Sequence, residues 1–394
     1  MSKRNKRYGR LDGLPSLKGI RANSFKQMPM AIIGLGNVGG QVAHHLALLG
    51  CPLILIDNGK VSEENLGTQG FQSKDMNHAK IVVRSKQLRD LNPECEIKLY
   101  YEDISTLGVG CLTGAKVLFS CLDSWYARSV LHEIAWELGI PLIDGGIDGT
   151  GEQLMGRVTI YDPRLRDNAC MFCSWDKNAF QKILSADPDS RTPCPELRLG
   201  PVKGTATPTF APSSLGGIVA GIMAIDALRM VVGDIKESNL GGRELLIDLS
   251  NNSFAEIELN RNPNCVFPHQ ILPLESLGKS ISQLTVKEIF KLAERELGSN
   301  IRLSLHRKHL AQHLICQSRH ILKNIDRIVE TFPQEESFCH CGSPLFPLTQ
   351  SIIQSFSYEQ ASSFLDKTWK TLGLAEHDII SARNGQQAKQ FVFN

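Results

Sequence analysis

The chain has 394 residues, of which 42% are hydrophobic and 21% charged, and a formal net charge of +2. These are ordinary globular values, with room for two or three domains of roughly 150 residues each, and a charge so near zero gives no bulk electrostatic case for a nucleic-acid partner. The basic start (Lys3, Arg4, Lys6, Arg7, Arg10) runs into no apolar segment, and no stretch reads as the roughly 18 apolar residues that span a bilayer. No secretory signal, no membrane partner and a cytoplasmic location are therefore expected.

Residues 1–28 are basic and polar and read as an N-terminal arm. Met30-Ala31-Ile32-Ile33 is a short apolar strand that runs into Gly34-Leu35-Gly36-Asn37-Val38-Gly39. Val38, Val42, Leu46 and Leu49 then recur at helical spacing until Gly50 and Pro52 stop the helix. Leu53-Ile54-Leu55-Ile56 is a second buried strand, closed by Asp57. A helix from Ala79 to Leu91 ends at Asn92-Pro93, strands follow at Glu96–Tyr100 and Val117–Leu122, a helix at Val130–Leu138, and a strand at Pro141–Ile143. Strands alternating with helices specify an α/β, Rossmann-like, doubly wound and mostly parallel sheet.

Arg157–Tyr161 lies outside that alternation, and 162–212 reads as a long loop region. Ser214–Val232 is a strong helix, with Ile218, Ile222, Ile225, Leu228 and Val232 assigned to one face. Two short strands complete a domain spanning 29–273. Residues 274–394 then read as a small α+β C-terminal domain.

In the strand–turn–helix at Gly34, Gly36, Asn37 and Gly39, the first glycine allows the tight turn. The second lets a phosphate approach the backbone, and the third lets helix and strand pack closely. The helix N-terminus offers its free N–H groups to an anion. Asp57 stands near the roughly 20-residue offset at which a carboxylate binds ribose hydroxyls. On these glycines alone the cofactor is open, NAD included.

There are eleven cysteines. An odd number, no export signal and short spacings favour metal or thiol chemistry over a disulfide framework. Cys170-Met171-Phe172-Cys173 and Cys265-Val266-Phe267-Pro268-His269 supply two close pairs, suited to one tetrahedral zinc. Cys316 with His320, and Cys339 with Cys341, are a second candidate set, for which His306, His309 and His313 are competing ligands. Cys194, in Arg191-Thr192-Pro193-Cys194-Pro195, is a candidate nucleophile whose pKa Arg191 or Arg198 can lower.

The ordered set Asp57-Asn58-Gly59-Lys60, Glu64-Asn65-Leu66, Gln69, Lys80, Asn92-Pro93 and Cys121-Leu122-Asp123 with Arg128 resembles the ThiF/MoeB/HesA family. These are the activating enzymes of ubiquitin-like and sulfur-carrier proteins, and the likeness runs from about Arg7 to about His269. It implies ATP and Mg²⁺, with Asp57 on the ribose, Asn65, Gln69 and Lys80 around the triphosphate, and Asp123 serving magnesium. It implies that Arg10 reaches the phosphates of a neighbouring subunit, and so a homodimer. It further implies a small ubiquitin-like or sulfur-carrier partner with a flexible C-terminal tail, a role for Cys194 as thioester acceptor, a downstream acceptor protein, and Zn²⁺ held with His269 in place of a family cysteine. One departure stands out: Thr68 occupies the place of the family's phosphate-binding arginine, and Arg84, one turn beyond Lys80, is the nearest substitute. A peptide-modifying adenylating enzyme of natural-product synthesis, an NAD-dependent oxidoreductase and a degenerate nucleotide-binding scaffold are the competing functions.

Overall fold

The computed structural model describes residues 6–11, 22–148, 154–175, 211–232, 240–322, 325–385 and 387–393, which fall into two compact units. The first is built on β1 (Met30–Ile33), β2 (Leu53–Ile56), β3 (Ile97–Tyr100), β4 (Val117–Ser120) and β5 (Leu142–Asp148), which pair in parallel in the order β3-β2-β1-β4-β5. β6 (Met155–Tyr161), β7 (Arg243–Asp248) and β8 (Ser253–Glu258) extend the sheet antiparallel to eight strands. β1 and β2 are buried along their whole length and carry only apolar residues, which is the pattern of strands covered on both faces.

The connection from β1 leads outward to β2 and that from β3 returns to β4, so the strand order reverses between β1 and β4. Ligands of such sheets sit at the carboxyl ends of the strands beside that reversal. The helices around it are α1 (Asn37–Leu49), α2 (Glu63–Leu66), α3 (Lys80–Leu91), α4 (Trp125–Leu138) and α5 (Ser213–Val232). Gly50 and Gly139 stop α1 and α4 in the left-handed region, at φ 76° and 65°.

By length and composition α5 is apolar enough to cross a membrane, which corrects the expectation that no segment is; such a test is also passed by a core helix, and half of α5 is buried inside this unit. A helix apolar all round is what an interior position requires. The five residues assigned to one face do not share one environment, for Leu228 is buried while two of the isoleucines are exposed. Ile218 and Ile225 are 38% and 51% exposed, whereas Leu215, Val219, Ala220, Met223 and Ala227 are buried. Close approach to α1 selects the small-residue side: a Cβ added at Gly216 would stand 2.2 Å from the Asn37 Oδ1. Near the N-terminus, Tyr8 and Phe25 are core residues, and the Tyr8 hydroxyl accepts from Asn92 Nδ2 at 2.9 Å.

The second unit combines Leu272–Asn394 with Ser105–Thr113. Its main sheet contains β9 (Leu274–Ser276), β10 (Arg302–Leu305), β17 (Ser355–Ser357), β18 (Ile379–Arg383) and β19 (Ala388–Val392), in the order β17-β10-β18-β19-β9. It shares a core with α6 (Val286–Leu297) and Trp369 of α7 (Trp369–Leu372). Thr285 and Glu288 form a capping box at the start of α6. Two small three-stranded sheets complete the unit. One pairs β11 (Leu310–Ala311) with β14 (Arg327–Ile328) and β16 (Ile352–Ile353); the other pairs β12 (Leu314–Cys316) with β13 (Ile321–Leu322) and β15 (Leu345–Pro347).

Candidate nucleotide site and metal centres

The β1–α1 turn closes on the end of β4. Gly34 has φ 88°, and a Cβ there would lie 2.5 Å from the Cys121 carbonyl oxygen; a Cβ at Gly39 would lie 1.9 Å from that of Gly34. Only glycine fits either place. Gly36 is different, since its missing Cβ would meet only the Gln69 side chain, at 3.7 Å. No side chain caps α1 at Gly36, so the first-turn N–H groups are left for an anion. The Asn37 side chain is spent on the start of α5, donating to the carbonyls of Pro212 (3.2 Å) and Ala211 (3.4 Å). What Asn37 offers a phosphate is thus its backbone N–H.

Asp57 accepts from the backbone N–H groups of Leu35 (2.6 Å) and Gly59 (2.7 Å), one on each carboxylate oxygen. The carboxylate thereby braces the glycine turn and keeps lone pairs for ribose hydroxyls. Burial pushes its pKa up, against the two N–H donors and Lys80, while the nearby Asp123 charge pushes the same way as burial. Lys80 opens α3 with its side chain over Gly59, whose missing Cβ would stand 3.5 Å from the Lys80 Cδ. Asp57, Lys80 and Asp123 are therefore close enough for their charges to be felt together. Asp123 is exposed and precedes α4, whose cap is Ser124, with Oγ accepting from the Ala127 N–H at 3.4 Å. Asp123 is free of capping duty.

Asn65 is buried in α2, and its Oδ1 accepts from Ser62, leaving Nδ2 to donate. Thr68 turns its hydroxyl back to the Glu64 carbonyl (3.4 Å). Behind it, Arg84 donates to the Gln69 carbonyl (2.6 Å) and to Gln87 Oε1 (2.8 Å), and stacks over Phe71 at 4.5 Å. Arg84 Nε and Gln69 Oε1 are buried without partners. Both residues line a cavity of about 360 Å³, with Asn37, Gly40 and Thr68. Arg84 is the one lysine or arginine among the described residues lining this cavity, and it stands beside the open N–H groups of the α1 turn. Arg10 is exposed, among residues 6–11, and Cys194 lies outside the described residues.

A second charged group was not singled out from sequence. Asp144, fully buried in β5, receives Arg128 Nη1 at 2.5 Å and Arg157 Nη2 at 2.9 Å. Trp125 lies beneath both guanidinium groups, at 6.0 and 5.1 Å. Arg128 stood in the motif, but no spacing rule pairs it with a strand residue sixteen positions on.

Cys170, Cys173, Cys265 and His269 converge, with all four ligand atoms within 4.8 Å of one another. Cys170 Sγ is 3.6 Å from the sulfurs of both Cys173 and Cys265, and Cys173 Sγ is 3.3 Å from His269 Nε2. A tetrahedral zinc with bonds of about 2.3 Å to sulfur and about 2.0 Å to nitrogen has edges of about 3.5–3.8 Å. The donor set fits zinc, and four protein ligands leave no open position. Trp136, Phe172 and Phe267 pack around it. Cys316, His320, Cys339 and Cys341 converge likewise, whereas His309 is bonded to Glu330 at 2.7 Å.

The model of the ThiF family matches residues 15–267. Among curated proteins, the chain is 27% identical over 274 residues to ubiquitin-like modifier-activating enzyme 5 of Bombyx mori, covering 66% of this chain and 64% of that protein. It is 27% identical over 266 residues to adenylyltransferase and sulfurtransferase MOCS3 of Drosophila yakuba, covering 66% and 52%. Protein HesA of Leptolyngbya boryana is 23% identical over 298 residues, covering 73% and 95%. The match thus spans 64% and 52% of the length of the first two relatives. Among solved structures, E. coli MccB has a TM-score of 0.50 at 19% identity, covering 69% of this chain and 75% of that one, a likeness of fold.

Proposed function

The chain belongs to the ThiF family, and we propose that it adenylates the C-terminal carboxylate of a small ubiquitin-like or sulfur-carrier protein. The observation that carries this reading is the juxtaposition of an uncapped glycine turn at the strand-order reversal with Asp57, Lys80 and Asp123 around it. The relatives named for ubiquitin-like modifier activation and for adenylyl transfer support it.

In the proposed reaction a tail carboxylate oxygen attacks the α-phosphorus of ATP. A new P–O bond forms, the α–β bridging bond breaks, and the products are an acyl adenylate and pyrophosphate. Asp57 holds the ribose, and the first-turn N–H groups of α1, Asn65 and Lys80 hold the phosphates. Asp123 would carry Mg²⁺, which supplies charge neutralisation for the departing pyrophosphate. The chain's own task is mainly positioning, with fixed dipoles and cations aimed where negative charge builds. Arg84 takes over the phosphate-facing charge that Thr68 lacks. Arg10 belongs to the proposal as the group that reaches a partner subunit's phosphates in a homodimer. Cys194 belongs to it as thioester acceptor, and Cys170, Cys173, Cys265 and His269 as the holders of a structural zinc.

The test is ATP–pyrophosphate exchange by the full chain with added carrier proteins ending in a flexible tail. Exchange that depends on the carrier's free C-terminal carboxylate supports the reading. Exchange with short peptides alone favours the peptide-modifying alternative, which uses the same pocket. No exchange with either leaves a nucleotide-binding scaffold. Loss of a thiol-labile adduct in Cys194→Ala, with exchange intact, places Cys194 after adenylation.

A further inference from the structure

Cys316, Cys339 and Cys341 lie in the second unit and beyond the ThiF match, which ends at residue 267. Two tight turns bring them together. β12 ends at Cys316, and the chain returns through Arg319 at φ 63°, with the Arg319 N–H donating to the Cys316 carbonyl (2.8 Å) and the Cys316 N–H to that of His320 (3.1 Å). The second turn runs from Cys339 to Gly342 (φ 81°), with the Gly342 N–H on the Cys339 carbonyl and the Cys339 N–H on that of Ser343, both at 2.8 Å. β12 pairs with β13 on one side and with β15 on the other, Cys316 facing Leu345. Both turns therefore come to the same end of one small sheet, and each presents two donors there.

From this we propose that Cys316, His320, Cys339 and Cys341 form a second zinc site, which staples the two turns of the β13-β12-β15 sheet. The spacing of the donors decides for a metal. Cys316 Sγ and Cys341 Sγ are 3.8 Å apart, and Cys339 Sγ and His320 Nδ1 are 3.6 Å apart. A tetrahedron with Zn–S bonds of about 2.3 Å and Zn–N bonds of about 2.0 Å has S···S edges of about 3.8 Å and S···N edges of about 3.5 Å. A disulfide would use two of these groups and leave the other pair converging on nothing.

His320 is the nitrogen ligand because its donor atom lies within 4.8 Å of all three sulfurs. His340 stacks on it at 4.8 Å between ring centroids. The need for a staple is visible in the packing. The local core consists of Ala311, Leu314, Cys316, Val329, Phe332, Cys339 and Leu345, so two of its members are ligands themselves. A core that small does not hold a sheet together, and structural zinc commonly supplies the difference. Four protein ligands leave no open position, so the site is structural.

The experiment is metal analysis of the purified full chain by inductively coupled plasma mass spectrometry, with and without substitutions in each cluster. The wild type should carry two zinc ions per chain, one for each cluster. Cys316→Ser and Cys341→Ser should each lose one equivalent while Cys170→Ser keeps this one. His320→Ala should weaken zinc retention against a chelator at least tenfold, and His340→Ala should not. Because Cys316 is buried, cobalt substitution of the exposed Cys341→Ser variant is the second readout, with the thiolate–cobalt absorption of this site lost. A wild type that loses no zinc on Cys341→Ser, or a Cys316–Cys341 disulfide in its mass map, would overturn the proposal. So would zinc loss from His340→Ala but not His320→Ala. None of these readouts depends on whether the chain adenylates anything.

Discussion

Arg84 fills the space that Gly40 leaves: a Cβ added at Gly40 would stand 2.6 Å from the Arg84 Nη2. The guanidinium is held there by the Gln69 carbonyl, Gln87 and the face of Phe71, and burial lowers its pKa to about 10, so it stays charged at neutral pH. Thr68 and Arg84 line one cavity, and the proposed function has Arg84 supply the charge that Thr68 lacks. Arg84→Ala should slow ATP–pyrophosphate exchange about 10- to 100-fold, the value of one charge-assisted hydrogen bond. Thr68→Arg in that background should restore part of the rate. Gly40→Ala should raise the ATP concentration needed for half-maximal exchange by pushing the guanidinium aside. Unchanged exchange in Arg84→Ala would confine Arg84 to packing.

Asp123 is exposed and uncommitted, yet close enough to Asp57 to push that carboxyl's pKa up. Two carboxylates facing one crevice need a cation between them when a polyphosphate enters. Asp123→Ala should reduce exchange by at least about 100-fold, with Mg²⁺ dependence shifted to higher concentration and thermal unfolding unchanged. Normal exchange at low Mg²⁺ would remove Asp123 from the site.

The parallel half of the sheet and its reversal point were legible because β1 and β2 are wholly apolar runs, and β4 is apolar up to Ser120, set between helical periods and glycine stops. That Asp57 meets the glycine turn was legible because the separation is short: Gly34 to Asp57 is one strand–helix–strand unit. The two Cys/His clusters were legible as pairs, since each pair sits on one turn, while their meeting is a fact of the fold. The orientation of α5 was not, because a helix apolar on every side has no period to read; size complementarity with α1 decides its face. Asp144 with Arg157 was hidden for a related reason. It is a cross-strand pair between β5 and an antiparallel strand whose partner no local signal names.

Asp144 gives a pH prediction. Burial would push its carboxyl up, but Arg128 and Arg157 together hold it below the ordinary range. An unfolded aspartate titrates near about 3.9. A depressed folded value means that the stabilisation is complete above that pH and is lost as pH falls through the lower folded value. Asp144→Asn should therefore cost about 3 kcal/mol near neutral pH, by leaving Arg128 unpaired in the interior. The gap to wild type should hold down to about pH 5 and narrow below about pH 4. Urea unfolding at a series of pH values measures it, and a gap that stays constant into acid would show that Asp144 is not carrying its charge.

Lys308 and Asp378 make a different kind of pair, with both side chains almost wholly buried (2% and 6% exposed) and Nζ 2.5 Å from Oδ2. The Ala375 N–H also donates to that oxygen, at 2.8 Å. Removing one member strands the other in the interior, at a cost of about 3–5 kcal/mol, whereas replacing both with apolar groups of similar volume is often close to neutral. Asp378→Ala and Lys308→Ala should each speed hydrogen exchange of the β10 and β18 amides by about 100-fold or more, since about 1.4 kcal/mol is tenfold. The double variant Lys308→Met with Asp378→Leu should lie closer to wild type than either single change. Additive losses in the double variant would mean that the two side chains stabilise the unit separately, through packing, and that their mutual charge is incidental.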